Sequence, residues 1–196
     1  MRSIITIALL SALFITFNSC KKTGSNGPKV YVPAYIKAVV PYIEGQSVSF
    51  SDGSGQVVNA TVSITNKFQY SGACGNCPPP VNNEIITYTL NAGANKFMEF
   101  IVTTDTYIHL YLYSPLDSYQ LIAGLSFSVD EGVSHLSCFA QRQACFPSIT
   151  LNGKTFTNVT EITTMGGSSS VAKAYHTLNQ GIVGFVHKNG KIYTVD

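Results

Sequence analysis

The chain has 196 residues, of which 45% are apolar and only 11% charged, against about a quarter charged in an ordinary soluble domain. That length leaves room for one domain, the apolar fraction excludes disorder along the whole chain, and a formal net charge of +2 excludes a strongly basic nucleic-acid binder. With 11 Tyr, 11 Phe and 16 Gly beside many Ser, Thr and Asn, the composition suits a sheet protein whose surface is polar but uncharged.

Arg2 is the only charge before Lys21, and between them Ile4–Phe17 forms an apolar run of fourteen residues. A basic start, a run of that length and a small residue ahead of a candidate cut describe a secretory signal peptide. A membrane-spanning helix needs about twenty apolar residues, so the run is short for a permanent span.

The run ends in Phe17-Asn18-Ser19-Cys20-Lys21-Lys22. This resembles a bacterial lipoprotein signal, in which a Cys directly follows the cut and becomes a lipid-bearing N-terminus. Ser19 fits the small residue before the Cys, while Phe17 stands where the family favours Leu. The resemblance covers residues 1–22 and implies that residues 1–19 are removed and that Cys20 carries acyl chains such as palmitate. Lys21 stands where an Asp would retain such a protein in the inner membrane, so the implied place is the outer membrane, facing periplasm or cell surface. The membrane itself, through that anchor, is the first expected partner.

Residues 20–34 are expected to be the lipidated Cys and a flexible tether, since Lys21–Lys29 holds nothing apolar to bury and is rich in Gly, Ser, Asn and Pro. Residues 35–196 are expected to be the folded domain. There, strand patterns and turn signals alternate. Gln46–Phe50 leads into the turn Ser51–Gly55, and Val58, Ala60, Val62 and Ile64 then alternate with polar residues. Glu84–Leu90, Phe97–Thr104 and Tyr107–Tyr113 follow as strands, and Pro115 opens a turn. Tyr119–Val129 is the longest alternating stretch, and Val133–Phe139 returns from it. Asn152-Gly153 and Asn189-Gly190 each read as a type I′ hairpin turn, joining Ile149–Leu151 to Thr155–Ile162 and Ile182–Val186 to Ile192–Val195. Val171–Leu178 reads equally as a short helix or a strand.

No segment resembles the long helices that parallel crossovers need. The expected fold is therefore all-β: a single antiparallel domain of about eight to eleven strands with at most one short helix, as a sandwich, a barrel or a curled sheet. The irregular strand lengths speak against a transmembrane barrel.

Cys74, Cys77, Cys138 and Cys145 remain once Cys20 is set aside. In an exported domain such a set reads as two disulfides. Zinc ligands would show two close pairs, and the gap between Cys138 and Cys145 is wide for one. A redox Cys-x-x-Cys normally opens a helix, which Pro78-Pro79-Pro80 would block. Four Cys allow three pairings; the local ones, Cys74–Cys77 and Cys138–Cys145, are preferred because each brackets one loop.

The four His are scattered, and none has a second ligand at metal spacing. No nucleophile elbow and no phosphate-cradling loop is present, so no catalytic residue, metal or cofactor is assigned. Tyr107, His109, Tyr111 and Tyr113 share one face of a strand, which suits either cross-strand packing or a binding stripe for a glycan or a partner protein. The functional expectation is a lipid-anchored envelope protein whose β domain is a binding or accessory module. A structural subunit of an outer-membrane complex and a thiol oxidoreductase or hydrolase are the alternatives. No nucleic-acid partner is expected.

Overall fold

The structure, a computed structural model, describes residues 27–71, 79–113, 121–130, 136–138, 140, 142–164 and 170–196. These form one nearly closed, barrel-like sheet that is antiparallel throughout except at one short pairing. A first meander runs through β2 (Ser47–Ser51), β3 (Val57–Ser71), β4 (Val81–Ala92), β5 (Asn95–Val102), β6 (Tyr107–Tyr113) and β7 (Leu121–Ser128). A second runs through β8 (Gln143–Leu151), β9 (Lys154–Thr163), β10 (Val171–Thr177), β11 (Gly181–His187) and β12 (Ile192–Val195). Pairing of β12 with β2 fuses the two meanders. The ambiguous stretch Val171–Leu178 is thus strand. Its branched and aromatic side chains are buried on both sides of the sheet, which masks the period-two signal.

The alternation read in the sequence sorts side chains as expected. On β6, Ile108, Leu110 and Leu112 are buried, while the residues between them face outward. The interior is filled. Phe50, Phe97 and Phe185 lie within 5.3–6.3 Å of one another, ring centre to ring centre, and Tyr193 stacks on Phe185 at 4.9 Å. A second, smaller core of Leu151, Phe156, Val159, Tyr175 and Val183 covers the opposite face of β10 and β11. It forms because the β8–β9 hairpin curls over that face, which requires Gly184: a Cβ there would sit 2.8 Å from the Leu151 side chain and 2.7 Å from the Tyr193 carbonyl.

The hairpin turns divide. Asn152 and Gly153 both have positive φ, as a type I′ turn requires. At Asn189-Gly190 only Gly190 does. The Asn189 side chain instead accepts the Lys191 N–H at 3.0 Å, so local side-chain bonding, not a left-handed pair, makes that turn.

The N-terminal segment closes one end of the barrel. β1 (Lys29–Val30) pairs in parallel with Asn82 and Asn83 of β4, and the Asn82 amide also donates to the Gly27 carbonyl at 2.7 Å. These contacts fall within the stretch expected to be a tether, residues 20–34, and bind its described part to the sheet. A short helix, α1 (Ala34–Lys37), follows. Val32, Ile36, Val39, Val40 and Tyr42 all enter the main core. Their polar partners lie on the starts of β4 and β11 and the end of β10, which the strand alternation places at one end of the barrel. Glu84 accepts from the Val32 N–H at 2.7 Å, the Asn66 amide at 2.6 Å and the Lys37 ammonium at 3.0 Å. Burial alone would raise the Glu84 carboxyl, but these three donors outweigh it and hold it below its ordinary range. At the far side of the cap, the Tyr42 hydroxyl accepts the Ile182 N–H at 3.0 Å. It fits there because Gly181, at φ +73, leaves the space a Cβ would take, 2.6 Å from the Tyr42 oxygen.

Candidate functional site

The sheet cannot complete an antiparallel circuit. The eleven strands from β7 to β8 are joined by antiparallel pairings alone, and that even number of reversals leaves β7 and β8 running in the same sense. A seam therefore separates them. A side chain helps to bridge it. The Gln143 amide accepts the Ser128 N–H at 2.8 Å and donates to the Ser128 and Ser137 carbonyls at 3.2 and 2.8 Å. It thus adds to a short backbone pairing at the same place, where Leu136 bridges Val129 and the Ser137 N–H donates to the Ser128 carbonyl at 3.0 Å. Removing it deletes three hydrogen bonds at the seam, so Gln143→Leu is expected to cost about 1–3 kcal/mol of stability in a denaturant titration. A cost near zero would show that the bridge does not hold the seam.

Beside this bridge lies a mostly apolar cavity of about 510 Å³. Its floor is a cross-strand row. Cys145 of β8 pairs with Thr160 of β9, and Thr160 pairs with His176 of β10. Paired residues point to the same face, so a sulfur, a hydroxyl and an imidazole stand side by side. Leu136, Phe146, Pro147 and Leu178 supply most of the remaining lining. Cys138 and Cys145 are joined in a disulfide, with Cα atoms 5.3 Å apart, so the link between β7 and β8 is stapled to the cavity wall. This is the local pairing preferred from the sequence. Cys74 and Cys77 lie outside the described residues, as does Cys20.

His176 is buried, with 1% of its surface exposed. Its Nε2 lies 2.7 Å from the Val39 carbonyl. A carbonyl only accepts, so Nε2 carries the proton and Nδ1 is a bare acceptor in the neutral ring. Burial lowers its pKa to about 4 against the opposing pull of the Val39 bond, so the ring is neutral at pH 7. The Thr160 hydroxyl lies 3.7 Å from the Cys145 sulfur, which has no proton to give, so the hydroxyl points its hydrogen at the disulfide. Among the described residues no Lys, Arg, Asp or Glu lines the cavity.

The Tyr/His stripe lies on the outer face, with Tyr107 about half exposed and His109, Tyr111 and Tyr113 partly covered. Its members are tied to neighbouring strands. His109 Nδ1 lies 2.7 Å from the Ser126 hydroxyl, and the Tyr113 hydroxyl donates to Glu99 at 3.4 Å. An open polar groove of about 470 Å³ adjoins His109, walled by Gln69, Asn83, Thr103 and Asp105. The stripe and the seam cavity are distinct features: the stripe lies on the outer face, whereas the floor row of the cavity belongs to the inner face of the sheet.

His176 has no sequence signature of a site. Its partners are 16, 31 and 137 positions away (Thr160, Cys145 and Val39), and only the sheet register brings them together. Among the described residues no three His, Cys, Asp or Glu side chains gather where they could hold a metal ion. No protein-family model, curated protein or solved structure matches the chain.

Proposed function

We propose that this protein is a lipid-anchored binding module of the cell envelope, without catalytic activity, and that it takes its ligand in the wall of the barrel at the seam. The observation that carries this reading is the division of space in the fold. The interior is occupied by Phe50, Phe97, Phe100, Phe127 and Phe185, all fully buried. An apolar cavity lies at the seam, and its size suits a drug-sized molecule. The described walls carry no charged side chain, which favours binding over acid–base or nucleophilic chemistry that would need titrating groups poised near neutrality.

The anchor rests on Cys20 and the apolar run before it. Two or three acyl chains on one Cys hold essentially permanently, since each buried methylene contributes about 0.8 kcal/mol. From Cys20 to Gly27, the first described residue, the chain spans at most about 25 Å, so the capped end of the barrel stays close to the bilayer. Cys20→Ala is expected to move the protein from the membrane pellet to the soluble fraction. A processed variant that stays in the pellet refutes the anchor. For binding, the exported chain carrying Cys20→Ala is titrated with the neutral fluorophore N-phenyl-1-naphthylamine, free of detergent. Saturable one-to-one enhancement is expected; a linear, unsaturable response refutes the cavity as a ligand site.

A further inference from the structure

We infer that the seam cavity selects neutral, mostly apolar molecules that carry one N–H or O–H donor, and that His176 Nδ1 reads that donor. The inference rests on the proposed binding role of the cavity and adds the chemistry of its ligand.

The first support is the fate of each polar atom on the cavity floor. His176 Nε2–H is committed to the Val39 carbonyl. The Thr160 hydrogen is directed at the disulfide. No described residue hydrogen-bonds His176 Nδ1, although the side chain is almost wholly buried and lines the cavity. The floor thus offers an acceptor that water satisfies in the open cavity, and a ligand that displaces that water must replace the bond or leave the nitrogen unpaired, which is costly.

The second support is rigidity. The imidazole is fixed from two sides. The cap holds Nε2 through Val39, and the Phe127 ring lies 6.0 Å away, centre to centre. The acceptor therefore has one direction, and a donor must arrive in register with it. Preorganisation of this kind converts a single hydrogen bond into discrimination, because the site loses no entropy on binding.

The third support is charge. With no Lys or Arg among the described residues of the lining, an anionic ligand would lose its hydration without gaining a partner there. With no Asp or Glu among those described residues, a cation fares no better. Phe146, Leu178, Pro147 and Leu136 supply the apolar contact, and Phe146 and Leu178 are exposed enough to form the rim.

The test compares two probes of nearly equal size on the exported chain carrying Cys20→Ala. N-phenyl-1-naphthylamine has one N–H donor; its N-methyl derivative has none. The parent is expected to bind saturably and about tenfold more tightly than the methylated probe, the worth of one satisfied hydrogen bond. The double variant Phe146→Ser, Leu178→Ser alters only exposed rim residues and is expected to weaken both probes alike. Equal affinity for the two probes overturns donor selection while leaving the cavity as a site. Failure of both probes to saturate overturns the cavity reading and this inference with it. A tenfold preference that survives the rim double variant at unchanged affinity places binding elsewhere and overturns the assignment to His176.

Discussion

Ile36→Ala is expected to destabilise the protein by about 2–5 kcal/mol, the range for emptying a fully buried branched side chain. Ile36 has no exposed surface and sits in the main core, although it belongs to a helix of four residues. A helix that short has no stability of its own. It exists because its apolar side closes the barrel end and because its flanks are bonded to three strands. Glu84→Gln is expected to cost less, about 1–3 kcal/mol, since a Gln oxygen still accepts from Val32 while Lys37 loses its counter-charge. Denaturant titrations with unchanged slope and a lowered midpoint check both variants. An Ile36→Ala midpoint within error of wild type would show that the cap is not docked. The same experiment bears on function, because the cap is the only described link between the sheet and the chain that leads back to Cys20.

The strands of the first meander were legible because each has one covered face and one open face. In β3 and β6 the period of two survives, and the expected Tyr107–Tyr113 matches the observed strand residue for residue. Val171–Thr177 was ambiguous for the opposite reason: a second core covers its other face. The cap was not legible at all. Lys29 and Val30 read as tether because nothing in their own composition calls for a strand. What recruits them is an open stretch of the β4 edge around Asn82 and Asn83, beyond the point where β5 pairing begins at Ile86.

The candidate site was hidden more deeply. Cys145, Thr160 and His176 meet only through two successive ladder registers, and a one-residue slip in either would separate them. His176 alternates with Tyr175 about a strand that is buried on both sides, so no hydrophobic pattern marks it. The seam follows from strand parity, which depends on knowing that β12 pairs with β2 and that the meanders hold six and five strands. Composition and turn signals fix neither. The disulfide was the one part of the site within reach, because its two Cys bracket a single loop.

Lowering the pH from 7 to 4 is expected to remove about 3 kcal/mol of stability through His176 alone. The ordinary imidazole value is 6.5, and burial lowers it to about 4 in the fold. The unfolded chain therefore takes up a proton as the pH falls below 6.5, while the folded chain does not until about 4. Stability is full above 6.5 and declines between those limits, at up to about 1.4 kcal/mol per pH unit. Carboxylates act in the same direction but later. Asp52 is held well below its ordinary value by the Lys191 ammonium and by the backbone N–H groups of Ser54 and Gln56; Glu84 is likewise held below its own. Both contribute above their unfolded values near 4 and lose that contribution only as the pH falls further. The window between pH 6.5 and 5 thus isolates the imidazole from these two acids. Across pH 7 to 4 the Tm is expected to drop by on the order of 10 °C, at 2–4 °C per kcal/mol for a chain of this size. His176→Gln retains a donor for the Val39 carbonyl and cannot titrate. It is expected to be less stable at pH 7 yet to show a flatter Tm between pH 6.5 and 5. Parallel profiles for the two proteins in that window would mean that His176 takes up its proton equally well folded and unfolded. The ring would then be solvated in the fold, and Nδ1 would not be the bare, fixed acceptor on which ligand selection depends.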